Sequence, residues 1–408
     1  MRLDTFAKNN IIMFLGSNVG SFFNLLYQLA MLRLVSKEAF ASLNSLLSLL
    51  IIISVPSAAF TMMVTKYVST HKARNSFLQL KSIWQKLAGH AFLFAGAIFI
   101  LVSLLKVRIS AFLHLGTPAT VIILAGIFFL SGISPMSAGG LQGLEKFKWM
   151  AFIGITAGFL KLVLSVILVK ALPNSLDAAL YGILLSVAIG ILLSLWPLRF
   201  LLEGKASLRV DLRQLYEYVL PVAAVSMCFA LLTNVDMVLV KHFFKAEAQD
   251  YSVAQMIGKI ILSIAGVVCM VMFSRVSNLH AVNESSKNIL KRSLLFTFAL
   301  SLPAVAFYNI FPQFTFKILA GGAADNVVRL ARVFSLSMLF YAMSNVLFYY
   351  QLSIERYGFL RPLILLSVLQ AVIISLFHIT TFQVAGIMLV NSLVIFVLNL
   401  RSSLKVAV

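Results

Sequence analysis

Three charged side chains interrupt apolar runs: Lys161 in GFLKLVLSV, Asp236 in LLTNVDMVLV and Lys259 in MIGKIILSI. An ionised group in such a run costs about 2.5–3.5 kcal/mol on membrane-insertion scales, so each needs a partner, a wet surface or a task. Lys161 is a compact point charge suited to phosphate or an acidic sugar. No acid lies deep within an apolar run of the first half to neutralise it. Its plainer role would be to cap helix carbonyls or to snorkel towards the interface. Asp236 and Lys259 flank a turn near residue 247 at nearly equal separation. At about 1.5 Å per helical residue this sets them at one depth. Equal depth predicts a structural ion pair, each charge offsetting the other's desolvation. In a sharper reading Asp236 takes up a coupling proton or cation and releases Lys259 when occupied.

Uncharged polar residues fall into stripes. Ser17, Ser21, Asn24 and Gln28 recur at helical spacing and share one face. That face suits sugar hydroxyls, or hydrogen bonds to a neighbouring helix. Tyr341, Asn345 and Tyr349 form a second stripe whose rings and amide suit sugars. Arg33 closes the first apolar run, either as an interfacial anchor or as a contact for an anionic head group. The expected substrate contacts are therefore Lys161, Arg33, Asn24, Gln28, Asn345 and Tyr341. The six histidines are scattered singly, without metal-ligand spacing, and no nucleophile stands beside a base. Cys228 and Cys269 both lie inside apolar segments. The expectation is no enzyme, no metal and no cofactor beyond coupling to a proton or sodium gradient.

A membrane must position these residues. The 408 residues are 61% hydrophobic and 11% charged, against about 25% charged in soluble chains. Apolar runs long enough to span a bilayer recur along almost the whole length. The fold class is therefore an all-α polytopic membrane protein. Windows near 10–32, 40–64, 87–105, 119–140, 150–169, 176–198, 217–240, 251–273, 293–312, 330–352, 361–379 and 382–400 predict about twelve spans. No loop is long enough for a soluble catalytic domain, and the first run is too long for a cleaved leader. The net charge of +20 gathers in loops after even-numbered spans, at Lys72, Lys81, Arg199, Arg275, Lys287, Lys291 and Arg292 among others. That pattern places both termini in the cytoplasm. It also assigns the surplus charge to membrane lipids and not to nucleic acid.

A weak internal repeat appears at an offset of about 209–210 residues. Arg33 with Lys37-Glu38-Ala39 corresponds to His242 with Ala246-Glu247-Ala248. Gln142 through Glu145-Lys146-Phe147 corresponds to Gln351 through Glu355-Arg356-Tyr357. Two six-helix bundles, 1–205 and 206–408, follow from it. An even number of spans per half implies a pseudo-twofold axis along the membrane normal and a cleft suited to alternating access.

The run Asn234-Val-Asp236, Lys241, Glu247-Ala248, Tyr251-Ser-Val-Ala254-Gln255 and Gly258-Lys259 resembles the seventh-to-eighth-helix region of oligosaccharide flippases. These are the Wzx-like polysaccharide transporters of the multidrug/oligosaccharidyl-lipid/polysaccharide (MATE-like) exporter superfamily. MLRLVSKEAF and LQGLEKFKW are similar to the same family, which usually has Gly where this chain has Gln249. The resemblance implies a bacterial inner-membrane protein that flips an undecaprenyl-pyrophosphate-linked oligosaccharide for O-antigen, capsule or exopolysaccharide assembly. A polysaccharide polymerase and chain-length machinery would act after it. The competing reading is a MATE-type multidrug/cation antiporter, which the excess of deep cations over deep acids disfavours.

Overall fold

The computed structural model describes residues 5–73, 76–202, 213–281, 284–320 and 325–406. Every regular element among them is a helix. The first eight are α1 (Thr5–Leu34), α2 (Lys37–Ile53), α3 (Val55–Ala73), α4 (Phe77–Leu104), α5 (Lys106–Phe112), α6 (Ala119–Gly143), α7 (Phe147–Ala171) and α8 (Ser175–Leu202). The remainder are α9 (Arg213–Phe243), α10 (Ala248–Ala281), α11 (Lys287–Ile310), α12 (Pro312–Ala320), α13 (Asp325–Ser353), α14 (Leu360–Leu376) and α15 (Thr381–Val406). Contacts divide the chain into Met1–Ala223 and Ala224–Val408. The expected boundary at 205/206 falls outside the described residues.

Eight helices are long and apolar enough to cross a membrane, counted among the described residues, and nine if α2 and α3 form one bent span. The apolar α14 has 17 residues, while α1 and α10 have 30 and 34. Together these occupy the positions of the twelve expected spans. The expected span 40–64 is two helices, bent by 44° about Ser54. Pro56 causes the break, because its ring excludes a continuous helix through the preceding turn. Two short helices were not foreseen: α5 after α4, and α12 after α11. At seven and nine residues they are too short to reach a window-based reading.

Each unit is built around one buried helix. In the first, α6 packs against α3, α4 and α8. In the second, α13 packs against α10, α11 and α15. The two central helices also end alike. Lys146 N–H donates to the Leu141 carbonyl and Glu145 N–H to that of Gln142. Arg356 N–H donates to the Gln351 carbonyl and Glu355 N–H to that of Leu352. Both are Schellman turns. Both put a glutamate, not a glycine, in the left-handed region, at φ 59° for Glu145 and 55° for Glu355. The weak sequence repeat at these positions is thus also a repeat of backbone geometry.

Close helix approach in the first unit depends on glycine. A Cβ on Gly139 would lie 2.7 Å from the Thr61 carbonyl oxygen, and one on Gly143 2.8 Å from that of Thr65. The same seam carries Thr65 Oγ1, which bonds the Thr61 carbonyl at 2.8 Å and Gln142 Oε1 at 3.2 Å. Lys72 then closes its end with an ion pair to Glu145 at 2.6 Å. Gly139→Leu should therefore force α3 and α6 apart and cost about 1–3 kcal/mol or more. Gly96→Ala, where a Cβ meets nothing within 4 Å, should be neutral or stabilising by about 0.5–1 kcal/mol. Thermal unfolding of detergent-purified variants, followed by loss of the monodisperse gel-filtration peak, separates the two.

Candidate functional site

In the first unit, small residues set the geometry around Lys161. Gly16 and Gly20 of α1 face Ala151, Gly154 and Gly158 of α7. A Cβ on Gly16 would meet that of Ala151 at 2.5 Å, and one on Gly158 would lie 3.2 Å from the Gly20 carbonyl oxygen. Glycine seams of this kind let membrane helices approach closely and pack by backbone contact. One turn beyond Gly158, Lys161 Nζ donates to Asn24 Oδ1 at 3.0 Å and lies 4.2 Å from the centre of the Tyr27 ring. Asn24 is itself oriented by donating to the Gly20 carbonyl at 3.1 Å. Gln28 Oε1 is buried one turn further along, with no hydrogen-bond partner among the described residues. Ser165, one turn after Lys161, bonds the Ala179 carbonyl where α7 meets α8. The ammonium therefore has one amide oxygen and one aromatic face as neighbours. No acid pairs with it among the described residues.

The sequence stripe on α1 does meet Lys161 through Asn24. Ser21 is exposed, and the Ser17 side chain lies outside the described residues. Tyr27 was missed, although it follows Asn24 by three residues and so shares its face. Cation–π contact of this type is worth about 0.5–2 kcal/mol, depending on exposure. Arg33 sits exposed in the last turn of α1, where a cation also suits the helix dipole.

The second unit holds a buried polar network. Asp236 of α9 is fully buried. Its Oδ2 accepts from Tyr251 Oη at 3.0 Å and from Gln255 Nε2 at 2.8 Å. Its Oδ1 is buried without a hydrogen-bond partner among the described residues. Lys259 donates to Asn234 Oδ1 at 2.8 Å instead of touching Asp236. The expected direct ion pair is thus not formed: both charges sit in one polar cluster, each held by neutral groups. The physical reason is local supply. Tyr251, Gln255 and Lys259 follow one another at intervals of four and form one face of α10, so the nearer two satisfy the carboxylate first. That spacing was the readable signal for Tyr251 and Gln255. A Cβ on Gly258 would lie 3.2 Å from Phe334 and Met338, so this glycine keeps α10 close against α13.

Tyr341 is wholly buried, its hydroxyl donating to Gln370 Oε1 at 2.6 Å. Gln370 is in turn held by Asn391 at 2.6 Å and by the Leu232 carbonyl at 2.9 Å. Tyr341 therefore belongs to the interior of its unit, tying α13, α14, α15 and α9 together. Asn345 is half-buried, and Tyr349 packs edge-on to Phe273. Gln370 and Asn391 were not readable in sequence, because an uncharged side chain on an apolar helix does not say which neighbour it faces. In the loop before α7, Lys146 donates to the Pro197 carbonyl at 2.6 Å and lies over Phe200. Partial burial holds its pKa below the ordinary lysine value. No group of three or more metal-ligating side chains occurs among the described residues.

A family model described as polysaccharide biosynthesis protein matches residues 30–329, almost three quarters of the chain. The chain belongs to this polysaccharide biosynthesis family. Its fold is shared with transporters of the MOP superfamily. An inward-facing multidrug resistance MATE family transporter matches with a TM-score of 0.79 at 14% identity, covering 95% of both chains. The lipid II flippase MurJ in an inward closed conformation matches with a TM-score of 0.73 at 15% identity, covering 97% of this chain and 87% of that one. A MOP superfamily transporter from Pyrococcus furiosus, whose binding pocket is described as reversed in polarity, matches with a TM-score of 0.63 at 16% identity, covering 97% and 94%. No curated protein matches.

The network predicts an asymmetry at Asp236. Asp236→Asn keeps one oxygen for Tyr251 and Gln255, so the fold should lose less than about 1 kcal/mol. Asp236→Leu strands both donors, at about 1–3 kcal/mol for each unsatisfied group. Thermal unfolding in detergent should rank them wild type, Asn, then Leu, with a clear gap before the last.

Proposed function

We propose that this family member moves a polyprenyl-pyrophosphate-linked oligosaccharide across the bacterial cytoplasmic membrane by alternating access, for assembly of a surface polysaccharide such as O-antigen, capsule or exopolysaccharide. The observation that carries the reading is Lys161. It is a membrane-embedded cation that, among the described residues, meets Asn24 and the Tyr27 ring and no acid. A diphosphate or acidic sugar can take that ammonium without displacing a carboxylate. Asn24 bonds it and Gln28 follows one turn along α1, both with amides that suit sugar hydroxyls. The polyprenyl tail stays in lipid, and the flipped unit passes to the polymerase and chain-length machinery. Family membership and the fold it shares with a lipid II flippase support the same substrate class. The drug/cation antiporter reading fits less well, because the deep ionisable group of the first unit is basic.

A coupling role falls to Asp236. Its Oδ1 is buried and unpartnered, while Oδ2 is fixed by two donors. Oδ1 is thus the atom that would take a proton or sodium ion. Neutralising the carboxylate there would weaken its field on Lys259, which Asn234 holds nearby.

Two measurements test these roles. In a deletion strain lacking a second flippase, complete lipid-linked oligosaccharide should accumulate facing the cytoplasm. Wild type and Lys161→Arg should clear it, whereas a well-expressed Lys161→Ala should leave at least about 90% of the backlog. Full clearance by Lys161→Ala would remove the cation from the substrate path. In proteoliposomes carrying a fluorescent lipid-linked oligosaccharide, an imposed proton or sodium gradient should accelerate translocation by wild type severalfold. It should not accelerate Asp236→Asn, and an equal stimulation of that variant would exclude Asp236 as the coupling group.

A further inference from the structure

A groove of the second unit lies between α10 and α11, and its lining includes none of the residues of the polar network. It is a cavity of about 410 Å³ lined by Val268, Met272, Arg275, Ile289, Arg292, Ser293 and Phe296. On α10 the lining residues step by four and three, and on α11 by three, one and three, so each helix presents one face to the groove. Those faces are apolar or small except at two positions, Arg275 and Arg292. Both arginines are exposed at the rim of this apolar face, so an anion can reach them. Neither arginine has an ion pair or hydrogen bond among the described residues.

Helix stability does not explain them. The first turn of α11 has no acid, and Lys287, Lys291 and Arg292 crowd its N-terminal end. Cations there oppose the helix dipole. Depth matters as well. Arg275 lies about 9 Å before the end of α10 and Arg292 about 8 Å past the start of α11, so the two are level. Phe296, about 6 Å further along α11, is 62% exposed. The groove is thus charged at one end, apolar below and open at its side.

We infer that this groove seats one anionic phospholipid, with its headgroup phosphate between Arg275 and Arg292 and an acyl chain along Val268, Met272 and Phe296. Arginine forks match phosphate oxygens in pairs, and a headgroup supplies the missing anion at the level where both arginines lie. The seat is separate from Lys161 and Asp236, and its test does not depend on the transported substrate.

Native mass spectrometry of the detergent-purified chain, titrated with phosphatidylglycerol or phosphatidylcholine, reads the seat directly. One phosphatidylglycerol should bind ahead of phosphatidylcholine. Arg275→Gln with Arg292→Gln should weaken it at least about tenfold, in line with two lost phosphate contacts. Lys287→Gln with Lys291→Gln, which removes as much charge outside the groove, should weaken it less than about threefold. Ser293→Trp should weaken it by filling the groove with both arginines intact. Equal losses in the arginine and lysine pairs would reduce the effect to diffuse charge and overturn the seat, as would unchanged binding in Ser293→Trp. If undecaprenyl pyrophosphate displaced phosphatidylglycerol at tenfold lower concentration, the groove would belong to the transported lipid and the assignment would fall.

Discussion

Hydrocarbon supplies no hydrogen bonds, so every polar group this chain carries into the bilayer has to be answered by the protein itself. The rest of the structure follows from how that demand is met. In the first unit, glycines bring α1 and α7 close enough for an amide and a ring to receive Lys161. In the second, five helices each contribute to the cluster around Asp236, Lys259 and Tyr341. Neither charge cluster relies on a direct ion pair. Neutral partners hold a charge at lower cost than leaving it bare, yet give it up more readily than an opposite charge would. That balance suits groups that must change partners during a cycle.

The two units solve the problem with opposite signs. The first has a cation with no acid paired to it among the described residues. The second has an acid whose two oxygens differ, one saturated and one bare. Under the proposed function, recognition of an anionic cargo and response to a cationic gradient would fall on different helices. A drug transporter and a lipid II flippase have similar folds, so the framework by itself does not dictate which charges line it.

Much of this was legible in the residues. Apolar windows located the spans, because helix length and bilayer thickness fix their size. Periodicity put Asn24 and Gln28 on one face, and lysine in an apolar run marked Lys161. Three things were not legible. The break at Ser54 needed the geometry around Pro56. The short α5 and α12 are below the length at which hydropathy speaks. Gln370 and Asn391 are uncharged polar residues whose meaning depends on which helix they face. The direct pairing of Asp236 with Lys259 failed for an instructive reason: equal depth says nothing about competition, and Tyr251 and Gln255 were already on the same face of α10.

The turns at Glu145 and Glu355 have a wider consequence. A left-handed glutamate is costlier than glycine by about 1–2 kcal/mol, and two separately assembled bundles would have no cause to accept that cost at matching places. The shared turn, closing helices that the short α5 and α12 precede, therefore gives the two halves one local design at matching places.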